Sequence, residues 1–377
     1  MMQEDINHAE QTLQWMRRAL GLAGQGTALA SPNPMVGAVL VRDGEVVGEG
    51  FHTFEGRKHA EIIAIETAGE RARGATLFIN LEPCCHHGRT GPCTEAIVAA
   101  GITRVIAAME DPNPLVSGKG FAQLRQAGVK MEIGLCQDEA QRLNEAFARY
   151  MRTKLPLVTL KTAMTLDGRI AAPDDNSGWV TSEEARRHVQ RQRHAHDAIW
   201  TGIGTVLADN PQLTDRTGLP RRRPLLRVLT DSKLRIPTTA RMLERVKHDL
   251  LILCNPGADL EKWRALEKRG AQVCAVPGEG RPDPRLVVAE LGRREITSVL
   301  LEAGAELNGA AFDAGVVDKV FLYYAPKILA GRDALPMATG GGIRAMRDAI
   351  EVRNVRHHQY GENFAVEGYL RDVYRDH

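Results

Sequence analysis

The chain is poor in aromatic residues, 5% of its 377 positions, and in excess charge, with 49 Lys and Arg against 47 Asp and Glu. A protein that coats DNA or RNA needs a concentrated basic face and stacking rings, so no nucleic-acid partner is expected. A small phosphorylated substrate needs only two or three placed cations and stays open. No run of about 18 apolar residues occurs, so no membrane-crossing helix is expected. The polar start MMQEDINHAE lacks the basic-then-apolar order of a secretory leader. Of the six cysteines, Cys84, Cys85 and Cys93 cluster while Cys136, Cys254 and Cys274 are scattered. That is not a disulfide framework; in a reducing compartment such a cluster means metal or catalysis. A cytoplasmic protein without a membrane partner is expected.

What remains is an ordinary globular composition, 43% hydrophobic and 25% charged. At roughly 150 residues per domain the length fits two domains, placed here at 1–152 and 153–377. Leu13, Met16, Leu20 and Ala23 recur at helical spacing, and Asp43-Gly44 between Val36–Val41 and Glu45–Gly48 reads as a hairpin turn. Helices are expected over His59–Ala72, Thr94–Ala100, Gly120–Ala127 and Asp138–Tyr150, with strands over Ala75–Leu81, Val105–Met109 and Val129–Ile133. Met151–Pro156 reads as a linker. Beyond it the alternation restarts, with strands at Leu157–Met164, Leu225–Leu229, Leu250–Leu253, Val273–Val276, Val299–Glu302 and Phe364–Leu370. Both halves are therefore read as α/β, the second as a doubly wound sheet.

His59 and Glu61 open the helix after Lys58, so both can reach one point from its first turn. Cys84 follows a buried strand through Pro83. A catalytic zinc takes three N/S ligands and acidifies a bound water, and a neighbouring carboxylate can carry the proton; the design is His-x-Glu with Pro-Cys-x-x-Cys. Here the position three beyond Cys84 is His87, and the next cysteine is Cys93, nine positions on, at a helix start. Cys93 is the leading third ligand, with His87 and then Cys85 as alternatives. A structural zinc site would carry a fourth protein ligand and have no use for Glu61.

The second half is less explicit. Gly202-x-Gly204 lacks the third glycine of a dinucleotide fingerprint and reads as a strand–helix turn. Gly304–Gly309 follows a strand and opens a helix, where free N–H groups can bind phosphate. Arg193 could fork onto a phosphate or line a solvated helix face. Trp179 could stack on a nicotinamide or lie in a core. Arg221-Arg222-Arg223 reads as a solvated loop.

The stretches Ser31–Val41, Gly48–His52, His59–Glu61 and Leu81–Cys93 resemble the bifunctional riboflavin-biosynthesis deaminase/reductase family, as do Lys161–Arg169, Ser177–Ser182, Gly202–Thr214 and Glu302–Gly309. The resemblance covers the chain from about residue 10 to its end. It implies a cytidine-deaminase-like first domain, a mixed sheet with helices on both faces, and a dihydrofolate-reductase-like second domain. It implies deamination of 2,5-diamino-6-(5-phosphoribosylamino)pyrimidin-4-one, then NADPH-dependent reduction of the ribosyl group to a ribityl chain. Zinc falls on His59, Cys84 and Cys93, with Glu61 catalytic and Asn33 and His52 at the pyrimidine. NADPH falls on Ala163, Trp179, Thr205, Asp209, Ser232 and the run Gly304, Ala305, Glu306, Leu307, Asn308, Gly309 and Ala310. Substrate of the reduction falls on Ser177, Arg193, Leu213, Arg216 and Glu302. A homo-oligomer, dimer or tetramer, is expected. Departures from the family pattern are Cys85, Asn210 and Ala303. Two other readings remain: a tRNA-type base deaminase whose second half binds a nucleotide without reducing, and a zinc-stabilised binding module.

Overall fold

The structure, a computed structural model, describes residues 2–86, 91–174 and 179–375. The chain divides into two compact units: one runs to Thr153 and takes in Pro220–Arg223, the other comprises Lys154–Leu219 and the chain from Pro224 onward.

The first unit runs α1 (Met2–Gly24), β1 (Gly37–Arg42), β2 (Glu45–Phe51), α2 (Ala60–Ala68), β3 (Thr76–Ile79), α3 (Cys93–Ala99), β4 (Arg104–Ala107), α4 (Lys119–Gln126), β5 (Lys130–Ile133), α5 (Gln137–Leu143) and α6 (Glu145–Thr153). Its mixed sheet has the order β2-β1-β3-β4-β5. β1 is antiparallel to β2 and β3, while β3, β4 and β5 are parallel. Asp43 and Gly44, at φ 52° and 79°, make the tight turn that joins β1 to β2. The central strands carry unbroken buried runs, Ala38–Leu40, Leu77–Ile79 and Val105–Ala107, as strands covered on both faces do.

Two features aim this unit's ends. A Cβ on Gly50 would stand 2.5 Å from the Ala60 carbonyl oxygen and 2.6 Å from Ile63 Cβ, so only glycine lets the first turn of α2 lie against β2. Asn144 splits the helix expected over Asp138–Tyr150 into α5 and α6. Its Oδ1 accepts from the Met35 N–H at 2.8 Å and its Nδ2 donates to the Met35 carbonyl at 3.0 Å. The ladder bonds run on across the break, from Asn144 N–H to the Ala140 carbonyl at 3.2 Å and from Ala148 N–H to the Asn144 carbonyl at 2.9 Å, while Asn144 itself leaves helical geometry at φ −109° and ψ 17°. α6 then continues to Thr153, through much of the expected linker.

The second unit runs β6 (Leu157–Thr165), β7 (Arg169–Ala171), α7 (Glu183–Ala195), β8 (Ala198–Gly202), α8 (Ile203–Asp209), β9 (Leu226–Thr230), β10 (Leu250–Cys254), α9 (Leu260–Lys268), β11 (Gln272–Ala275), α10 (Pro284–Arg293), β12 (Ser298–Leu301), α11 (Ala305–Asp313), β13 (Lys319–Ala325), β14 (Leu335–Pro336), β15 (Arg353–Tyr360) and β16 (Asn363–Tyr369). Nine strands form one sheet in the order β11-β10-β9-β8-β12-β6-β13-β16-β15. It is parallel from β11 to β13 and antiparallel at the β13-β16-β15 edge. Successive residues feed opposite faces. Trp200, Val228 and Leu301 pack with Val287 and Leu291 of α10 and Ala311 of α11. Ile199, Leu229 and Ile252 pack with Val206 of α8 and Leu266 of α9. The sequence pattern does not predict β8 or β13, which carry this core: no Pro or Gly stands just before β8, and only Gly315, closing the turn after α11, stands before β13.

The turn after β3 is tied to the start of α4 by one buried carboxylate. Glu82 is 3% exposed. Its Oε2 accepts from the N–H groups of Asp111, at 3.1 Å, and Gly118, at 2.9 Å. Its Oε1 accepts from Gly120, at 2.9 Å, and Phe121, at 3.2 Å. An anion on the unpaired N–H groups of a helix start is favourable twice over, as hydrogen-bond acceptor and as partner of the dipole. Glu82→Gln keeps the shape but turns an NH₂ toward two donors. The substitution is expected to destabilise the first unit by roughly 1–3 kcal/mol, read as a shifted midpoint in urea unfolding, whereas Glu70→Gln at an exposed position leaves the midpoint in place.

Candidate functional site

His59 is the N-cap of α2, with extended backbone (φ −75°, ψ 158°) that turns its ring off the helix axis. Cys84 follows β3 through Pro83, and Cys93 is the first residue of α3. Three element ends therefore meet. The His59 Nδ1 lies 3.1 Å from Cys93 Sγ and 3.4 Å from Cys84 Sγ, and all three donor atoms lie within 4.8 Å of one another. Zinc bonds of about 2.1 Å to nitrogen and 2.3 Å to sulfur put tetrahedral ligands roughly 3.5 Å apart. The spacing and the one-nitrogen, two-sulfur donor set fit zinc. No fourth residue joins this cluster among the described residues. Cys85, half-buried, stays out of it, and His87 lies outside the described residues.

Protons are unevenly shared here. A hydrogen bond from Cys93, and then the His59 ring, hold the Cys84 thiol down at about 4. The bond to Cys84 and burial push Cys93 up. The backbone N–H of Cys93, at the start of α3, points at Cys84 Sγ from 3.4 Å, a setting that favours a thiolate. Glu61, 3% exposed in the first turn of α2, has its carboxyl raised above the ordinary range by burial. A carboxyl raised in this way is suited to carrying a proton between a water and a leaving group.

Asn33 and His52 are brought together beside this cluster. His52 Nδ1–H donates to the Lys58 carbonyl at 2.9 Å, which leaves Nε2 to accept from Asn33 Nδ2 at 2.9 Å. That pair of bonds fixes the tautomer and turns Asn33 Oδ1 away from the imidazole. Burial lowers the His52 ring below its ordinary value, so it stays neutral. Its ring stands edge-on to His59, with centroids 5.5 Å apart. Arg222, read from sequence as part of a solvated loop, is instead half-buried against this part of the first unit. Its guanidinium lies 3.4 Å from the Phe54 ring centroid.

In the second unit Arg193 neither lines a solvated face nor keeps its fork free. Nε and Nη2 donate to the two oxygens of Glu302 at 2.8 and 2.9 Å, and Nη1 donates to the Thr214 carbonyl at 3.3 Å. Lys161 Nζ lies 3.5 Å from Glu302 Oε2. Burial works to raise the Glu302 carboxyl, but Arg193 and Lys161 outweigh it and hold it at about 2. Burial lowers the Lys161 ammonium in turn. Lys161 was missed as a functional residue; its signal was a single cation in the otherwise uncharged strand LVTLKTAMT.

Glu302 directly follows β12, and Gly304 caps α11 with no side-chain cap hydrogen bond. Thr205 Oγ1 accepts from the Gly304 N–H at 3.1 Å, so these two residues lie side by side. Buried Asp231 Oδ1 and Asn255 Oδ1 have no partner. They flank Ser232, whose carbonyl accepts from the Asn255 N–H at 3.1 Å. A bare helix start and unpaired buried acceptors fit the phosphates and hydroxyls of a dinucleotide. Within the run, Leu307 and Asn308 are buried while Glu306 is exposed. Trp179 is 71% exposed, stacked 4.7 Å from the Arg186 guanidinium, and so is not core. Leu213 is buried, Arg216 and Asp209 are exposed, and Ala163 is half-buried in β6. Ser177 lies outside the described residues. Asn210 ends α8 in the left-handed region at φ 41°, a place asparagine tolerates, and its Oδ1 accepts from the Arg241 N–H at 2.8 Å.

Residues 9–109 match the family model for the cytidine and deoxycytidylate deaminase zinc-binding region, and residues 156–366 match the RibD C-terminal domain. The chain is 40% identical over 356 residues to riboflavin biosynthesis protein RibD of Actinobacillus pleuropneumoniae, covering 94% of each. It is 40% identical over 364 residues to RibD of Escherichia coli K12, covering 91% of this chain and 95% of that one. Among solved structures, Acinetobacter baumannii RibD superposes with TM-score 0.83 at 36% identity, covering 96% of this chain and 99% of that one. A diaminohydroxyphosphoribosylaminopyrimidine deaminase/5-amino-6-(5-phosphoribosylamino)uracil reductase from Thermotoga maritima does so with TM-score 0.82 at 34% identity, again over 96% and 99%. A zinc-type donor triad beside a buried carboxyl in one unit, and a bare helix start in the other, are thus found in a chain that belongs to the RibD family of bifunctional riboflavin-biosynthesis enzymes.

Proposed function

We propose that this chain removes the ring amino group of a diamino phosphoribosylaminopyrimidinone as ammonia and then reduces the ribosyl group of the product to a ribityl chain. The convergence of His59, Cys84 and Cys93 within 4.8 Å, beside the buried carboxyl of Glu61, carries the first half of this reading. Zinc held by those three residues supplies a water acidified toward neutrality. Glu61 takes the proton and returns it to the departing amino nitrogen. Asn33 turns a fixed amide oxygen toward the ring, and His52, neutral and locked by Lys58, keeps that amide in place. The second half rests on the bare start of α11 and the Lys161–Glu302–Arg193 group. NADPH supplies the hydride when bound. Glu302, held ionised, accepts from sugar hydroxyls, while Lys161 and Arg193 fix its two oxygens. Trp179, Thr205, Asp209, Ser232 and Gly304–Ala310 are assigned to the cofactor, and Ser177, Leu213 and Arg216 to the sugar phosphate.

We also assign a cytoplasmic setting, which suits six unpaired cysteines, and a homo-oligomer. The open edge strand β15 carries exposed Val355, 46% exposed, and the chain leading to it exposes Met346 at 90% and Ile343 at 50%. An uncovered edge with apolar side chains is a surface that a second copy can pair with. Light scattering of the purified chain is expected to give at least twice the monomer mass, and a charge at Val355, V355E, is expected to shift it toward the monomer.

Glu61→Gln is expected to lower ammonia release by about 10²–10⁴-fold with zinc content by metal analysis unchanged. A zinc-stabilised binding module would show no turnover to lose. Lys161→Met frees one edge of Glu302 and is expected to lower NADPH oxidation on the deaminated intermediate by at least about tenfold. Ammonia release by that variant stays at the parental rate, which a global folding defect would not allow.

A further inference from the structure

Arg222 makes four contacts in the first unit, and they fall on two chain segments. Its backbone N–H donates to the Ala28 carbonyl at 2.9 Å, and its Nη1 donates to the Ser31 carbonyl at 2.6 Å. Its guanidinium lies over the Phe54 ring at 3.4 Å, and its Nε lies 3.5 Å from the Glu55 carboxylate. Arg223 adds a contact from Nη2 to Ser31 Oγ at 3.4 Å. The two segments also meet directly, through the Phe54 N–H to the Leu29 carbonyl at 3.1 Å and, at the Asn33 and His52 end, through the side chains of those two residues. Asn33 stands two residues beyond Ser31, and His52 two residues before Phe54. These are the segments that carry the Asn33–His52 hydrogen bond.

A planar, always-charged guanidinium can stack on a ring and donate in its own plane at once, which an ammonium cannot do. The side chain is 20% exposed, so most of it is removed from water and its contacts are not loosely solvated ones. Pro220–Arg223, which lie in sequence between α8 and β9, belong to the first unit, and Arg222 is built into the wall of that unit's site.

We propose that Arg222 is a positioning residue for the deamination: it sets the spacing of the two segments that carry Asn33 and His52, and so the fit of the pyrimidine ring. The inference rests on the roles given to Asn33 and His52 above. It makes no contact with zinc ligands and no use of Glu61, so its effect falls on binding rather than on proton transfer.

The test uses the full-length zinc-loaded protein and steady-state ammonia release on the pyrimidine substrate, with Arg222→Ala, Arg222→Lys and Asn33→Ala measured side by side. Arg222→Ala is expected to raise KM at least about fivefold with kcat within about twofold of the parent, the signature of lost binding rather than lost chemistry. Arg222→Lys keeps the charge without the fork or the flat face and gives an intermediate KM. Zinc content, and NADPH oxidation with the deaminated intermediate, stay parental in both. A parental KM in Arg222→Ala overturns the proposal, and so does a fall in kcat that tracks lost zinc in both variants. Where Arg222→Ala alone loses zinc, a parental KM in Arg222→Lys overturns it. Asn33→Ala separates the two layers: if it raises KM and Arg222→Ala does not, only the Arg222 inference fails. If Asn33→Ala leaves KM unchanged, the assignment of Asn33 fails, and any Arg222 effect does not act through it.

Discussion

An imidazole and two sulfurs with their donor atoms within 4.8 Å, beside a carboxyl that is 3% exposed, cannot all take the charge state each prefers in water. The consequences are visible in the protons. Cys84 is held down at about 4 while Cys93 and Glu61 are both raised. A divalent cation resolves the conflict, because it neutralises two thiolates at once and metal binding releases their protons. The first unit is arranged around making that conflict unavoidable. Each donor sits at an element end, where a side chain can leave the axis of its own helix or strand. Those ends are held by backbone features that leave little slack: Gly50, where α2 touches β2, and Glu82, whose four N–H donors fix the chain around the start of α4.

The sequence carried most of this centre because its signals were local. His59 and Glu61 share one helical turn, and Pro83-Cys84 interrupts a buried run, so their neighbourhood could be inferred from spacing alone. Cys93 was legible once its position at a helix start was seen. What could not be read was anything fixed by contacts distant in sequence. Asn144, at the break between α5 and α6, bonds Met35 over a hundred positions away, and no local pattern announces that. Arg222 looked like a solvated charge because two other arginines flank it, yet its partners are Ala28, Ser31 and Phe54. In the second unit β8 passes without a Pro or Gly before it, and β6 holds Lys161 as its one charged residue. Family likeness named most reductase positions where periodicity and spacing did not. Exposed Trp179 and Arg216 show why: their side chains sit in no pattern that a core or a helix face would impose.

The two units also place carboxyls in opposite electrostatic settings. Glu61 and Glu302 are both largely out of water, and burial alone raises a carboxyl. For Glu61 burial wins over the pull of the His59 ring, with the Cys84 thiolate adding to it, and the carboxyl is raised above its ordinary range. For Glu302 a bidentate arginine and a lysine win, and the carboxyl sits at about 2. A group poised to gain and lose a proton suits hydrolytic loss of an amine. A permanently ionised group, fixed at both oxygens, suits recognition of hydroxyls whose own protons need not move. Environments that push equal side chains apart are how one chain assigns them different work. Here the separation follows from whether burial is left to dominate, as at Glu61, or is outweighed by paired cations, as at Glu302.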